Sequence, residues 1–157
     1  RYTYRIRDNL GAIDPLTRGH VLNWTNPLDE ARMNQAAQVL VGQHDFAAFC
    51  QRREGATTVR RVLDIGWLRD SSGLLHGNIR ADAFCHRMVR SIVGCLVRVG
   101  EGYREPEWVG ELLTARIRGP EMLVLAANGL TLEEVAYPAI SALAHQAEIT
   151  RRVRSLD

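Results

Sequence analysis

The chain contains no lysine: all 20 of its basic residues are arginine. A guanidinium forks onto a phosphate or carboxylate through two parallel hydrogen bonds, which an ammonium cannot do. Long apolar runs are missing as well. IVGCLV (92–97) and MLVLAA (122–127) fall far short of the roughly 20 residues a bilayer span needs, so no membrane segment is expected. The opening RYTYRIRDN has none of the apolar core of a signal peptide, which leaves the cytoplasm as the expected location. Aromatics make up only 6% of the chain, too few for a stacking-rich surface. Cys50, Cys85 and Cys95 are odd in number and form no CxxC pair. A disulfide framework and a zinc site are therefore excluded, and three buried free thiols are expected. HExxH, GxSxG, Walker A and GxGxxG are all absent, which argues against metalloproteases, common hydrolases, NTPases and dinucleotide enzymes.

What is present reads as one compact domain. Its 157 residues suffice to bury a continuous core without help from a disulfide or metal. A hydrophobic share of 46% against 24% charged residues excludes a disordered chain. The net charge is only +2, but the arginines are unevenly spread. Arg52, Arg53, Arg60 and Arg61 face Glu54 alone, and Arg80, Arg87, Arg90 and Arg98 face Asp82 alone, while acids gather at 101–121. A local basic face on a nearly neutral domain suits a nucleic-acid partner, although such clusters are often only solvated.

Along the chain, Tyr2, Tyr4 and Ile6 fall on one side of an opening strand. That strand starts without a turn or cap, from which truncation before Arg1 is expected. Residues 8–27, with Gly11, Pro15, Gly19 and Pro27, read as a long loop or broken strand. Met33, Ala36, Ala37, Leu40 and Val41 recur at helical spacing between Pro27 and Gly42. A basic loop at 51–58 leads to a strand with Val59, Leu63, Ile65 and Trp67 inward; the turn 70–73 and a strand with Leu75, Gly77, Ile79, Ala81 and Ala83 inward complete a hairpin. The period then changes to that of a nearly all-apolar helix over 84–99. A third helix is predicted at 106–118, with Ile117 on its apolar face and Pro120 as its stop, and a last strand at 130–137. Hairpins followed by helices, without βαβ alternation, indicate an α+β domain: an antiparallel sheet backed by helices.

Arg90 is the most unusual residue, because it lies in that most apolar helix. An unpaired buried charge costs several kcal/mol, so either its stem snorkels to the surface or a carboxylate meets it. Asp82 is a local candidate and an acid from elsewhere would serve equally. Gly94 on the same helix reads as a close-packing position. His86 could act as a general base, though no acid or nucleophile motif accompanies it. Tyr2 and Tyr4 either pack in the core or stack on a base at a cleft edge.

Several separated motifs occur together: Tyr2-x-Tyr4-x-Ile6; Pro27-Leu28-Asp29 with Met33, Ala36-Ala37 and Gly42; His44-Asp45-Phe46 with Phe49; Thr58-Val59-Arg60; Ala81-Asp82-Ala83-Phe84; Met88-Val89-Arg90; Ile92-Val93-Gly94 with Val99-Gly100; and Gly129-Leu130-Thr131-Leu132 with Val135 and Tyr137-Pro138. In this order they resemble the C-terminal portion of TruA-type tRNA pseudouridine synthases, over about residues 1–138. The resemblance implies half of a pseudouridine synthase fold over 1–138; the tail at 139–157 lies outside it and reads from its residues as helical or disordered. It implies isomerisation of uridines in the tRNA anticodon stem-loop, without cofactor or metal, by cytoplasmic homodimers. The family's essential aspartate lies in a G-R-T-D loop of the N-terminal half, and no such motif occurs in this sequence.

Carried over position by position, the resemblance makes Tyr2 the aromatic that packs on the target base. Arg90 becomes the cation that pairs with the aspartate of the N-terminal half, and Leu130 an apolar wall of the uracil pocket. Arg52, Arg53, Arg60 and Arg61 become candidates for phosphate contacts. Two other readings stand beside this one: a non-catalytic tRNA-binding and dimerisation module, and an unrelated hydrolase using His86 and Asp82.

Overall fold

A computed structural model describes residues 1–9, 13–51, 53–151 and 155–156. The opening alternation is strand β1, Tyr2–Arg7, with Tyr4 and Ile6 fully buried. After a two-residue strand β2, Leu22–Asn23, comes helix α1, Glu30–Ala37. The Asp29 carboxylate caps α1 by accepting the N–H of Arg32 at 3.0 Å. Met33, Ala36 and Ala37 form its buried face. A 3-10 turn at Gln38–Leu40 ends the helix, so Val41 is 40% exposed rather than part of that face. Gly42–Asp45 then forms strand β3, which has no alternating pattern to announce it.

Strands β4, Val59–Arg69, and β5, Leu75–Ala81, make the expected hairpin. The pairing slips between Val62 and Asp64. One extra residue in β4 reverses the facing of what precedes it, so Val62 is buried and Leu63, expected inward, is 48% exposed. Ala83 lies beyond the end of β5.

The all-apolar helix is α2, Met88–Gly100. It starts later than the periodicity suggests because Arg87 sits in the left-handed region, at φ 66°, which a right-handed helix cannot pass through. Residues 84–87 are thereby released from the helix. Helix α3, Trp108–Ala115, ends the same way at Arg116, φ 55°. Ile117 therefore falls off the apolar face and is 72% exposed, and Pro120 is not the stop. Strand β6 covers only Leu130–Leu132, paired with Tyr2, Thr3 and Tyr4. Beyond it the N–H groups of Glu133 and Glu134 both turn to the Arg1 carbonyl, and Val135 and Tyr137 are exposed. The tail carries helix α4, Leu143–Arg151.

The architecture is α+β. One sheet runs β2-β1-β5-β4-β3, with β6 on β1. All pairs are antiparallel except the short β1–β2 pair, which is parallel. Residues from α1, α2 and α3 join β1, β4 and β5 in one core. Among the described residues no helix is long and apolar enough to cross a membrane. Cys50 and Cys85 are joined by a disulfide, their Cα atoms 5.7 Å apart, which corrects the expectation of three free thiols; only Cys95 is free and buried. Chain folding brings together two cysteines 35 positions apart in sequence, and such a pair leaves no local sequence signature.

Candidate active site

The released segment before α2 creates the site. Phe84, Cys85, His86 and Arg87 line a cleft of about 440 Å³ together with Met88, Val89 and Arg90 of α2. Tyr2 and Leu130, on paired strands β1 and β6, form another wall with Ala127, and Arg53 comes from the β3–β4 connection. The volume is that of a small-ligand pocket. Tyr2 meets Phe84 edge to face, with ring centroids 5.0 Å apart, which fixes its ring at the wall.

Arg90 is half-buried, and its orientation is built from the backbone. Its Nε donates to the Leu125 carbonyl at 2.5 Å, while the Leu125 N–H donates back to the Arg90 carbonyl at 3.3 Å. Residues 122–126, in no regular structure, thus lie as a strap across α2. Gly94 is the crossing point: a Cβ there would lie 2.9 Å from the Leu123 carbonyl carbon and closer still to its oxygen. The close-packing expectation for Gly94 is met.

No ion pair joins Arg90 to an acid among the described residues. The Asp82 carboxylate instead accepts the N–H groups of Arg61 and Ala83, at 2.9 and 2.7 Å. Asp45 is likewise occupied, taking the Thr58 hydroxyl at 2.5 Å and the Ala47 N–H at 3.1 Å. Arg53, Arg87 and Arg90 line the cleft and none of its described lining residues is acidic. Beside it, burial and the like charge of Arg87 both lower the pKa of Arg118, whose guanidinium donates to the Ser91 hydroxyl at 3.3 Å. A surface so arranged attracts anions.

Of the residues singled out in the sequence, Tyr2, Arg53, Arg90 and Leu130 meet in this cleft. Arg52 lies outside the described residues. Arg60 and Arg61 do not line the cleft: Arg60 is buried in β4, with Nη1 donating to the Val59 carbonyl at 2.6 Å, and Arg61 is exposed with Nη2 on Gln43 Oε1 at 3.1 Å. His86 reaches the cleft, but no hydrogen bond joins it to Asp82. Phe84, Arg87 and Ala127 were not picked out as lining residues. Only the motif containing Phe84 offered a signal, since the cleft side of a turn has no period.

The model of the tRNA pseudouridine synthase family matches residues 36–138. The chain is 52% identical over 157 residues to the tRNA pseudouridine synthase A of Streptomyces griseus, covering 99% of this chain and 55% of that protein. It belongs to the tRNA pseudouridine synthase family. Members from Frankia casuarinae and Mycobacterium leprae, both tRNA pseudouridine synthase A, are 51% and 41% identical over 98% of this chain, covering 56% and 54% of their own lengths. The chain thus spans about half the length of these synthases, and the cleft lies within that span.

Proposed function

We propose that this chain is the C-terminal part of an enzyme that isomerises uridine to pseudouridine in the anticodon stem-loop of tRNA. Isomerisation breaks the bond from C1′ to N1, forms one from C1′ to C5, releases the C5 proton to solvent and protonates N1, so atoms balance without a cofactor. The observation that carries the proposal is convergence. Tyr2, Arg90 and Leu130, each carried over separately from the family pattern, stand around one cleft although they are up to 128 positions apart in sequence. Tyr2 packs on the target base, Leu130 walls the uracil, and Arg90 pairs with an aspartate supplied by the N-terminal half. The guanidinium keeps that carboxylate ionised and oriented for attack on the nucleoside, which is covalent catalysis with electrostatic preorganisation.

Phosphate contacts fall to the exposed Arg53 and Arg61, with Arg52, outside the described residues, a candidate from the sequence alone; the buried Arg60 is the poorest candidate of the four. A homodimer in the cytoplasm belongs to the same reading and rests on the family resemblance. Residues 1–157 alone would act as the non-catalytic binding module, since the described cleft contains no carboxylate.

The test is release of tritium from C5 of uridine in tRNA. Full-length enzyme is expected to be active, Arg90→Ala to lose turnover while tRNA binding is largely retained, and residues 1–157 alone to be inactive. Normal turnover by Arg90→Ala, or conversion by residues 1–157 alone, would refute the proposal.

A further inference from the structure

Because residues 122–126 form no helix or strand, the polar groups of this strap need partners from outside it. Leu125 exchanges hydrogen bonds with Arg90 as described. The next carbonyl, Ala126, accepts the Tyr4 hydroxyl at 2.6 Å. The Tyr4 ring also packs against the chain that leaves the strap: a Cβ on Gly129 would lie 2.7 Å from Tyr4 Cζ, and the Gly129 carbonyl accepts the Arg5 N–H at 2.9 Å. Tyr4 is fully buried on β1, directly opposite Leu130, and is not part of the cleft lining. Burial pushes its phenol well above the ordinary value against the opposing charge of Arg90, so it remains a donor throughout any assay range.

We propose that Tyr4 is a positioning residue for Arg90: its hydroxyl, by holding the Ala126 carbonyl, fixes the strap whose Leu125 carbonyl aims the Arg90 guanidinium into the cleft. The inference rests on the reading of Arg90 given above. A core tyrosine needs only its ring to fill space, and a buried hydroxyl with one backbone acceptor beside a cleft cation does more than fill it. Without the hydroxyl the Ala126 carbonyl loses its partner, and the neighbouring Leu125 carbonyl is free to drift from Nε.

Tyr4→Phe keeps the ring and removes only the donor. In the full-length enzyme, with tritium release as readout, kcat is expected to fall about tenfold, the scale of one lost hydrogen bond in a preorganised site, with KM for tRNA within about twofold of wild type. Arg90→Lys is expected to be slow but measurable, and Tyr4→Phe/Arg90→Lys no slower than Arg90→Lys alone, because both changes remove one coupled arrangement. A Tyr4→Phe enzyme that melts lower yet keeps wild-type kcat would show a purely structural hydroxyl and overturn the inference. So would a double variant slowed by the full product of the two single effects. Wild-type kcat in Arg90→Lys would overturn the proposed role of Arg90, and this inference with it.

Discussion

Gly94 and Gly110 are both glycines inside helices, in α2 and α3, and helix propensity makes the same prediction for each: alanine should stabilise by about 1 kcal/mol. Their surroundings differ. At Gly94 the new methyl would meet the backbone of Leu123, at 2.9 Å from the carbonyl carbon. At Gly110 it would meet only the tip of Val39, 3.4 Å away at Cγ2. The strap at Leu123 cannot simply step aside, because Leu125 is tied to Arg90 and Ala126 to Tyr4. Inserting a methyl against fixed backbone costs about 3 kcal/mol, at the upper end for overpacking, so Gly94→Ala should destabilise by about 2 kcal/mol net. That corresponds to a drop of roughly 4 to 8 °C in melting temperature for a chain of this size. Gly110→Ala should be neutral or slightly stabilising. Urea unfolding followed by circular dichroism measures both. A Gly94→Ala protein as stable as wild type, or more stable, would show that the strap yields and that the close approach constrains nothing.

Asp8 makes a two-point ion pair with Arg69, at 2.7 and 2.9 Å, and accepts the Leu28 N–H at 2.8 Å. Burial would raise its pKa, but the bonds from Arg69 and Leu28 prevail and hold it below the ordinary 3.8. Its contribution is therefore present above that value and lost as pH falls through the folded one; urea midpoints from pH 3 to 6 should fall toward acid in wild type and be flatter in Asp8→Asn, which at neutral pH should lose about 2 kcal/mol. Thiol titration of the unreduced chain in denaturant should find one free thiol, and three after reduction; three without reductant would refute the Cys50–Cys85 bond. In the folded chain Cys95, buried and pushed up to about 12, should resist alkylation. Since the bond closes a loop of about 35 residues, reduction should lower stability by up to about 4 kcal/mol. In a reducing cytoplasm the pair would stand as thiols, with the two segments still joined by the Gln51 N–H on the His86 carbonyl.

Elements with a strong period were legible in the sequence: β1, the β4–β5 hairpin and the apolar body of α2 all follow from alternation or from a helical stripe. What escaped has a local cause that a period cannot carry. The slip in β4 moved Val62 in and Leu63 out. Left-handed residues at Arg87 and Arg116 cut back two helices, although arginine has no special preference for that conformation. β3 is stabilised by pairing with β4 rather than by its own residues, Gly42 to Asp45.

The same distinction explains why Arg90 could be recognised while its setting could not. A charge in an apolar helix conflicts with its neighbours, and conflict is visible in one dimension. The setting consists of Leu125 and Ala126 carbonyls, which every residue type possesses, so no side-chain pattern encodes it. That difference also separates the arginines of the cleft. Arg90 is held at Nε by a backbone acceptor, which suits the proposed role of orienting a single carboxylate. Arg53 and Arg87 line the cleft but are exposed, which suits the proposed contact with a polyanion, where charge matters more than aim. A basic cluster in sequence merges these two kinds of cation. The backbone around each guanidinium, rather than the number of arginines, separates the one suited to the proposed chemistry from those suited to the proposed binding.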